Sequence, residues 1–479
     1  MASPAVIELG PADFEPVEWV RPAPPAWWRG GWALVGYAAL VLLLLGPPAP
    51  AAPGLLVPVV AIPAGGAIAY ELSSNTLYAA WFAYQAPHAG ASRPEPSRAT
   101  LDAYRLADGR LRWRVLLPVN LGSLLIRSAG PDTVVVSSLD LGATGDRTVA
   151  YDADSGRLLW DSRLPLLPTA PAGETVALAA YVDPSGAPLG SPYVRTPGAG
   201  APPAMLLQAL HVRSGLVAWT LRIDEGYYTA LPAVAALPGA TGDPYAVAVG
   251  SGGEARSVDL ATGAVAGRGH VRIGPTRTVR GDQDGPELVV SGRWLLIGYQ
   301  GADGPTLASY RADTLAPAWT GRVPSLNLVA VPCGELTCLT DQYGTRAVNL
   351  ATGRVGWSGT AWQPLGMLGS WVYAAPQGSG QTVPASLLAP GSGAPVLSLA
   401  GWAVIQGPAA GPYLVQTAGT VTLPGGAWLG VLRATTSGVP RVEPVAPLVD
   451  RSIDGCTAVP RFVVCGTDTK QLWIWRYRG

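Results

Sequence analysis

Residues 148–160 read TVAYDADSGRLLW, and this stretch decides the fold. Apolar and polar side chains alternate from Thr148, the period of a β-strand. A polar run brings Gly156 to a point where the chain reverses, and a second alternating stretch ends on Trp160. The unit is a β-hairpin. Glycine supplies the positive φ of the turn, and the tryptophan four residues on delivers a large flat side chain with one N–H donor.

The same unit recurs on both sides. TLDAYRLADGRLRW ends at Trp113, LQALHVRSGLVAW at Trp219 and TRAVNLATGRVGW at Trp357. Weaker copies are ARSVDLATGAVAG around Gly263, LASYRADTLAPAW ending at Trp319, PASLLAPGSGAPV around Gly393 and LGVLRATTSGVPR around Gly438. From Gly109 to Gly438 the eight turns are spaced about 47 residues apart on average, the length of one four-stranded propeller blade. Strand-like segments fall between them, among them TVVVSS at Thr133, YAVAVG at Tyr245, WLLIGY at Trp294, LTCLTD at Leu336 and FVVCG at Phe462. Gly109, Gly156, Gly215, Gly263, Gly353, Gly393 and Gly438 are therefore expected as backbone requirements of the turns. Trp113, Trp160, Trp219, Trp319 and Trp357 are expected to wedge between neighbouring blades, each indole nitrogen meeting a backbone carbonyl, and not to form a stacking platform for a substrate.

Composition agrees. A chain of 479 residues exceeds one compact core and suits an architecture that grows by adding units. Hydrophobic residues make up 48% and charged residues 13%, while 60 Gly and 47 Pro punctuate many short apolar segments, the signature of an all-β protein. The formal net charge of zero removes the long-range attraction a nucleic-acid binder uses to gather phosphate, so nucleic acid is excluded as a partner. Lys470 is the single lysine; arginine in its place, with the excess of Ala, Gly and Pro, points to a GC-rich, actinobacterial source.

The N-terminal region has its own logic. Residues 1–29 are polar and proline-bearing, a short disordered tail. Residues 30–50 contain GWALVGYAALVLLLLG, uncharged from Gly31 to Gly46, which as a helix covers roughly 24 Å of hydrocarbon. Trp27, Trp28 and Trp32 stand where an interfacial belt belongs, and Arg29 precedes the span with no basic residue after it until Arg93. The expectation is a signal anchor in the cell membrane, with a cytoplasmic N-terminus and residues 51–479 as an extracytoplasmic body. The alternatives are a signal peptide cleaved after Ala51 and a buried helix of a soluble protein. All four cysteines follow the span as the close pairs Cys333 with Cys338 and Cys456 with Cys465, which fit two local disulfides in an oxidising compartment. Free thiols, a zinc site and pairing across the two sets stay open.

The strand, turn, Gly and Trp unit resembles the repeat of pyrroloquinoline-quinone-binding-like β-propeller proteins over roughly residues 60–479. The resemblance implies a single propeller of about eight four-stranded antiparallel blades, with seven or nine as alternatives, around a central channel. The hairpin RFVVCGTDTKQLWIWRY ends the chain, and a strand near LLVPVVAIP at Leu55 would complete its sheet. Quinoprotein dehydrogenases with such repeats also use a vicinal disulfide, a calcium ion and a catalytic Asp. Here no two cysteines are adjacent, and no motif places the calcium ligands or the Asp. No cofactor is therefore expected, pyrroloquinoline quinone with calcium being the alternative.

Other chemistry finds little support. His88, His211 and His270 are scattered and read as surface or strand residues. Asp282, Asp284 and Glu287 in GDQDGPE lack the spacing of a calcium loop and read as a turn, and the tripeptide Arg280, Gly281, Asp282 carries no weight. Two insertions, Gln85–Arg98 and Asp183–Pro203, interrupt the repeat with Pro-, Gly- and Ser-rich loops suited either to binding or to neutral elaboration. The function expected is a non-catalytic, membrane-tethered propeller that serves as a protein-interaction scaffold or sensor for an envelope protein or cell-wall partner. It resembles in outline the propeller subunit of the barrel-assembly machinery, without a lipobox, and the sensor propellers of receptor kinases, without the kinase. The rival expectation is a membrane-bound quinone-dependent dehydrogenase.

Overall fold

The structure is a computed structural model describing residues 56–477 except 64–66, 83–98, 119–122, 140–145, 168–173, 191–202, 232–244, 275–276, 280–281, 285, 327, 379–385, 406–413, 418–427, 435–437, 448–452 and 468–470. The expected tail, anchor and cleavage point therefore lie outside the described residues, as do His88, Lys470 and the insertion at 85–98. Residues 55–479 form one compact unit.

Among the described residues all regular structure is β, and every pairing is antiparallel within nine four-stranded sheets and one two-stranded hairpin. In the first sheet the strands are a (Ala67–Leu72), b (Thr76–Phe82), c (Ala99–Arg105) and d (Leu111–Leu116). The second repeats the order with Ser123–Ser128, Thr133–Leu139, Arg147–Asp152 and Leu158–Ser162. The a strands of neighbouring sheets touch one another, as in the first and second, fifth and sixth, and ninth and first, so a is innermost and d outermost.

Burial on both faces explains the continuous apolar runs of the b strands. Val134 and Val136 of TVVVSSL enter the cluster shared with the first sheet, around Leu101 and Trp113, while Val135 enters the cluster shared with the third, around Trp160 and Leu178. Each buried valine contributes about 1.5–3 kcal/mol.

The eight turns read from the sequence fall one to a sheet and account for eight sheets. The ninth is the closing sheet. Its strands Ile453–Val459, Phe462–Thr467 and Gln471–Tyr477 are completed by Leu56–Pro63, which pairs with Gln471–Tyr477 in the register Leu56↔Tyr477 to Pro63↔Gln471. This sheet joins strands from the two ends of the unit.

Candidate functional site

The c–d turn of each of the first seven sheets rests on the d strand of the sheet before it, the closing sheet standing before the first. Trp113 is buried, and its Nε1 donates to Ala153 O at 3.0 Å. Trp160 donates to Val212 O at 2.6 Å, Trp319 to Leu350 O at 2.8 Å and Trp357 to Pro390 O at 2.7 Å. In every case the acceptor lies three residues before the next turn glycine. Trp219 occupies the same place, but its buried Nε1 has no acceptor among the described residues.

All seven turn glycines have φ between 67° and 78°. Conformation is only half of the requirement. A Cβ added to Gly156 would stand 2.7 Å from Trp113 Cδ2, and one on Gly353 would stand 2.9 Å from Trp319 Cδ2. The indole face lies directly under the turn and leaves no room for a side chain. Gly215, Gly263 and Gly393 meet Trp160, Trp219 and Trp357 in the same way, while Gly109 meets Val60 of the closing strand. Gly438 faces open space. In the fifth sheet the turn position is held by Leu315 at φ 59°, and the d-strand position beneath it is Gly267.

Antiparallel topology divides the loops between two faces. Connections b–c and d–a emerge on one face; a–b and c–d emerge on the other. Both long insertions are b–c connections, 83–98 in the first sheet and 183–203 in the third, and therefore share a face. The hairpin Arg277–Val279 with Asp282–Asp284 belongs to the d–a connection before the fifth sheet and joins them there. In the third sheet the segment leading to strand b (Thr175–Val182) meets it, among the described residues, at the isolated bridge Leu166↔Leu178. The insertion adds to it: Pro188–Gly190 pairs with Tyr181 and Val182 on the same inner edge, with Leu189 62% exposed. Beside it Pro184, Leu189, Pro203, Arg222, Asp224 and Glu225 line a cleft of 260 Å³.

Polar groups are mostly structural. The buried Asp102 carboxylate accepts hydrogen bonds from Arg114 Nε and Nη2, each at 2.7 Å, and from the Tyr104 hydroxyl at 2.7 Å. Burial and this carboxylate push the Tyr104 phenol well above its ordinary range. On the innermost strands Arg127 Nη1 stands 3.6 Å from Glu71 Oε2, and burial outweighs this attraction to push the Glu71 carboxyl up to about 7. On the c–d face a 710 Å³ cleft between the second and third sheets is lined by Asp132, Arg157, Glu174, His211 and Arg213. His270 is exposed on the fourth d strand. Among the described residues no group of three or more His, Cys, Asp or Glu side chains could hold a metal ion. Both cysteine pairs are disulfides, Cys333–Cys338 across the a–b hairpin of the sixth sheet and Cys456–Cys465 between opposed residues of the closing sheet.

No curated protein sequence matches the chain. Among solved structures it is similar to BamB from Moraxella catarrhalis, with 13% identity over 88% of this chain and 100% of that one and a TM-score of 0.38. It is similar to the C-terminal WD40 domain of Sif2 at 11% identity, covering 88% of this chain and 99% of that one, TM-score 0.37. For Sqt1 of Saccharomyces cerevisiae the identity is 8%, the coverage 87% and 97%, and the TM-score 0.38. Residues 97–359, more than half of the chain, match the family described as outer membrane protein assembly factor BamB, and the chain belongs to this family of PQQ-like β-propeller proteins.

Proposed function

We propose that the nine sheets are the blades of one closed ring, held outside the cell membrane by a helix within residues 30–50, and that the protein is a non-catalytic scaffold or sensor. Its partner is an envelope protein or a cell-wall component, met by the b–c face. The observation that carries this reading is topological. Both long insertions are b–c connections, and one of them builds an extra strand at the innermost position with Leu189 exposed. Surface loops held on a rigid scaffold are where binding residues concentrate. The family's description as an assembly factor supports a role exercised through contact.

A photo-crosslinking residue at Leu189 in the native membrane should capture one discrete partner, and deletion of 85–98 should weaken the capture. The same residue at Leu158, on the opposite face, should capture no protein. Equal capture from both faces, or from neither, would overturn the assignment. Incubation with pyrroloquinoline quinone and calcium should leave the absorption spectrum of the protein unchanged; stoichiometric bound quinone with alcohol oxidation would make it an enzyme.

A further inference from the structure

We infer that the c–d face lies against the lipid bilayer, its rim of exposed apolar side chains dipping into the membrane interface. This rests on the tethered reading above.

Chain direction gives the first argument. Leu56 begins the outermost strand of the closing sheet and pairs with Tyr477, where strand c ends. Strand c runs from the b–c face to the c–d face, so Leu56 enters at the c–d face. Arg476 Nη2, next to Tyr477, donates to Ala107 O in the first c–d turn at 2.9 Å, which fixes the level. Only the nine residues PPAPAAPGL, 47–55, separate Leu56 from the apolar run ending at Gly46. Nine residues of any chain span at most about 32 Å. On the tethered reading, a link of that reach joined at that face brings the c–d turns within range of a bilayer.

The surface supplies the second argument. Of the eleven large hydrophobic side chains exposed among the described residues, seven follow c–d turns directly. Five of them, Leu111, Leu158, Val217, Val265 and Val355, hold one repeat position, the second after the turn glycine. Leu158, Val217 and Val355 are 50%, 54% and 53% exposed. Equivalent positions of successive repeats recur at one level, so these side chains share a plane that a flat bilayer can meet at once. Carboxylates of the same face are largely taken up internally: Asp108 by Arg105, Asp154 by Arg112, Asp132 by Arg213, Asp313 by Arg311. Exposed Arg157 and Arg354, each one residue past its turn, have no carboxylate partner among the described residues and are placed to meet lipid phosphate. With Glu174, Asp259 and Glu335 counted the face is close to neutral, so apolar insertion is the main driving force and the association is only weakly salt-dependent.

All four cysteines are in disulfides, so a single introduced cysteine labels one position. The full chain, reconstituted in phosphatidylcholine vesicles containing phosphatidylglycerol, carries an environment-sensitive fluorophore at Leu158→Cys, Val217→Cys, Val355→Cys or Leu189→Cys. Phospholipids spin-labelled high on the acyl chain should quench the first three at least about threefold more than the last. Adding Leu158→Asp should weaken quenching at Val217→Cys without releasing the protein from the vesicles. Equal quenching at all four, or stronger quenching at Leu189→Cys, would overturn the inference while leaving the tether intact. Fluorescence changes that vanish when the protein is diluted in lipid would assign the face to a second copy and also overturn it. If the chain does not float with vesicles after an alkaline wash, the tether itself is wrong and this inference falls with it.

Discussion

Two seams show the same contact built with opposite sizes. Between the second and third sheets Trp160 lies under Gly215; between the fourth and fifth, Gly267 lies under the turn that carries Leu315. Trp160 and Gly267 each stand four residues past their own turn glycine. At the first seam the strand supplies the bulk and the turn is bare. At the second the turn closes onto a bare strand: a Cβ on Gly267 would stand 3.0 Å from Thr314 Cα. Leu315, 4% exposed, fills the seam from the other side, in the cluster with Tyr245, Leu295 and Tyr310. A leucine with left-handed backbone costs about 1–2 kcal/mol. Burying its side chain returns about 1.5–3 kcal/mol, so the exchange can be sustained. The seam requires a filled volume, and either partner can provide it.

The strongest way to break this comparison is to force the exchange where it does not occur naturally. Gly215→Leu alone drives a side chain into Trp160 and should cost more than about 4 kcal/mol, enough to leave much of the protein unfolded. Combined with Trp160→Gly it should recover at least about 2 kcal/mol of that loss in a double-mutant cycle read from urea unfolding. Simple addition of the two losses would mean that the seams are not interchangeable.

A smaller effect sharpens it from the other side. Leu315→Gly opens a cavity but relieves the backbone, and should cost about 1–3 kcal/mol, less than Leu295→Ala in the same cluster, whose backbone is ordinary and which should cost about 2–5 kcal/mol. The tryptophan seams differ among themselves too. Trp160→Phe leaves Val212 O without its donor and should be about 1 kcal/mol more costly than Trp219→Phe, because the Trp219 Nε1 has no acceptor to lose. Thermal melts of the two variants side by side decide it.

Much of the fold was legible because the hairpin carries its own chemistry within thirteen residues. Alternation, Gly156 and Trp160 are local, and repetition made them decisive. What joins one hairpin to the next was not legible. Trp113 meets Gly156 and Trp160 meets Gly215, partners from different repeats, so the second reason for glycine appears only in three dimensions. The same blindness made LASYRADTLAPAW look like a weak copy, when Leu315 is a compensated one. The closing sheet, its C-terminal hairpin and its N-terminal strand both read from the sequence, stayed outside the count of eight turns because its strands c and d come from opposite ends of the unit and share no turn. At the candidate site, composition marked residues 183–203 as an insertion, but three strand residues, Pro188–Gly190, are too few to show a period. Their return to the inner edge is seen only in the pairing with Tyr181 and Val182.

The inner edges of the seams offer the finest test, since they are held differently from the outer ones. Between the first and second sheets the outer edge is Trp113 on Gly156, and the inner edge is Glu71 facing Arg127. Burial raises the Glu71 carboxyl from 4.5 to about 7, with Arg127 opposing the shift. A carboxyl raised on folding favours the folded state most when protonated. Its contribution is complete below pH 4.5 and is lost as pH rises through 7. Because 28% of the side chain reaches solvent, the loss should be about 1–2 kcal/mol and not the full linkage value. Glu71→Gln stays neutral throughout. Its stability should match that of the parent near pH 4.5 and exceed it by about 1 kcal/mol at pH 8. Urea unfolding of both proteins from pH 4.5 to 8 reads the difference directly. Parallel profiles would mean that the inner edge tolerates charge as easily as the surface does, and that the seam is held by its apolar outer contact alone.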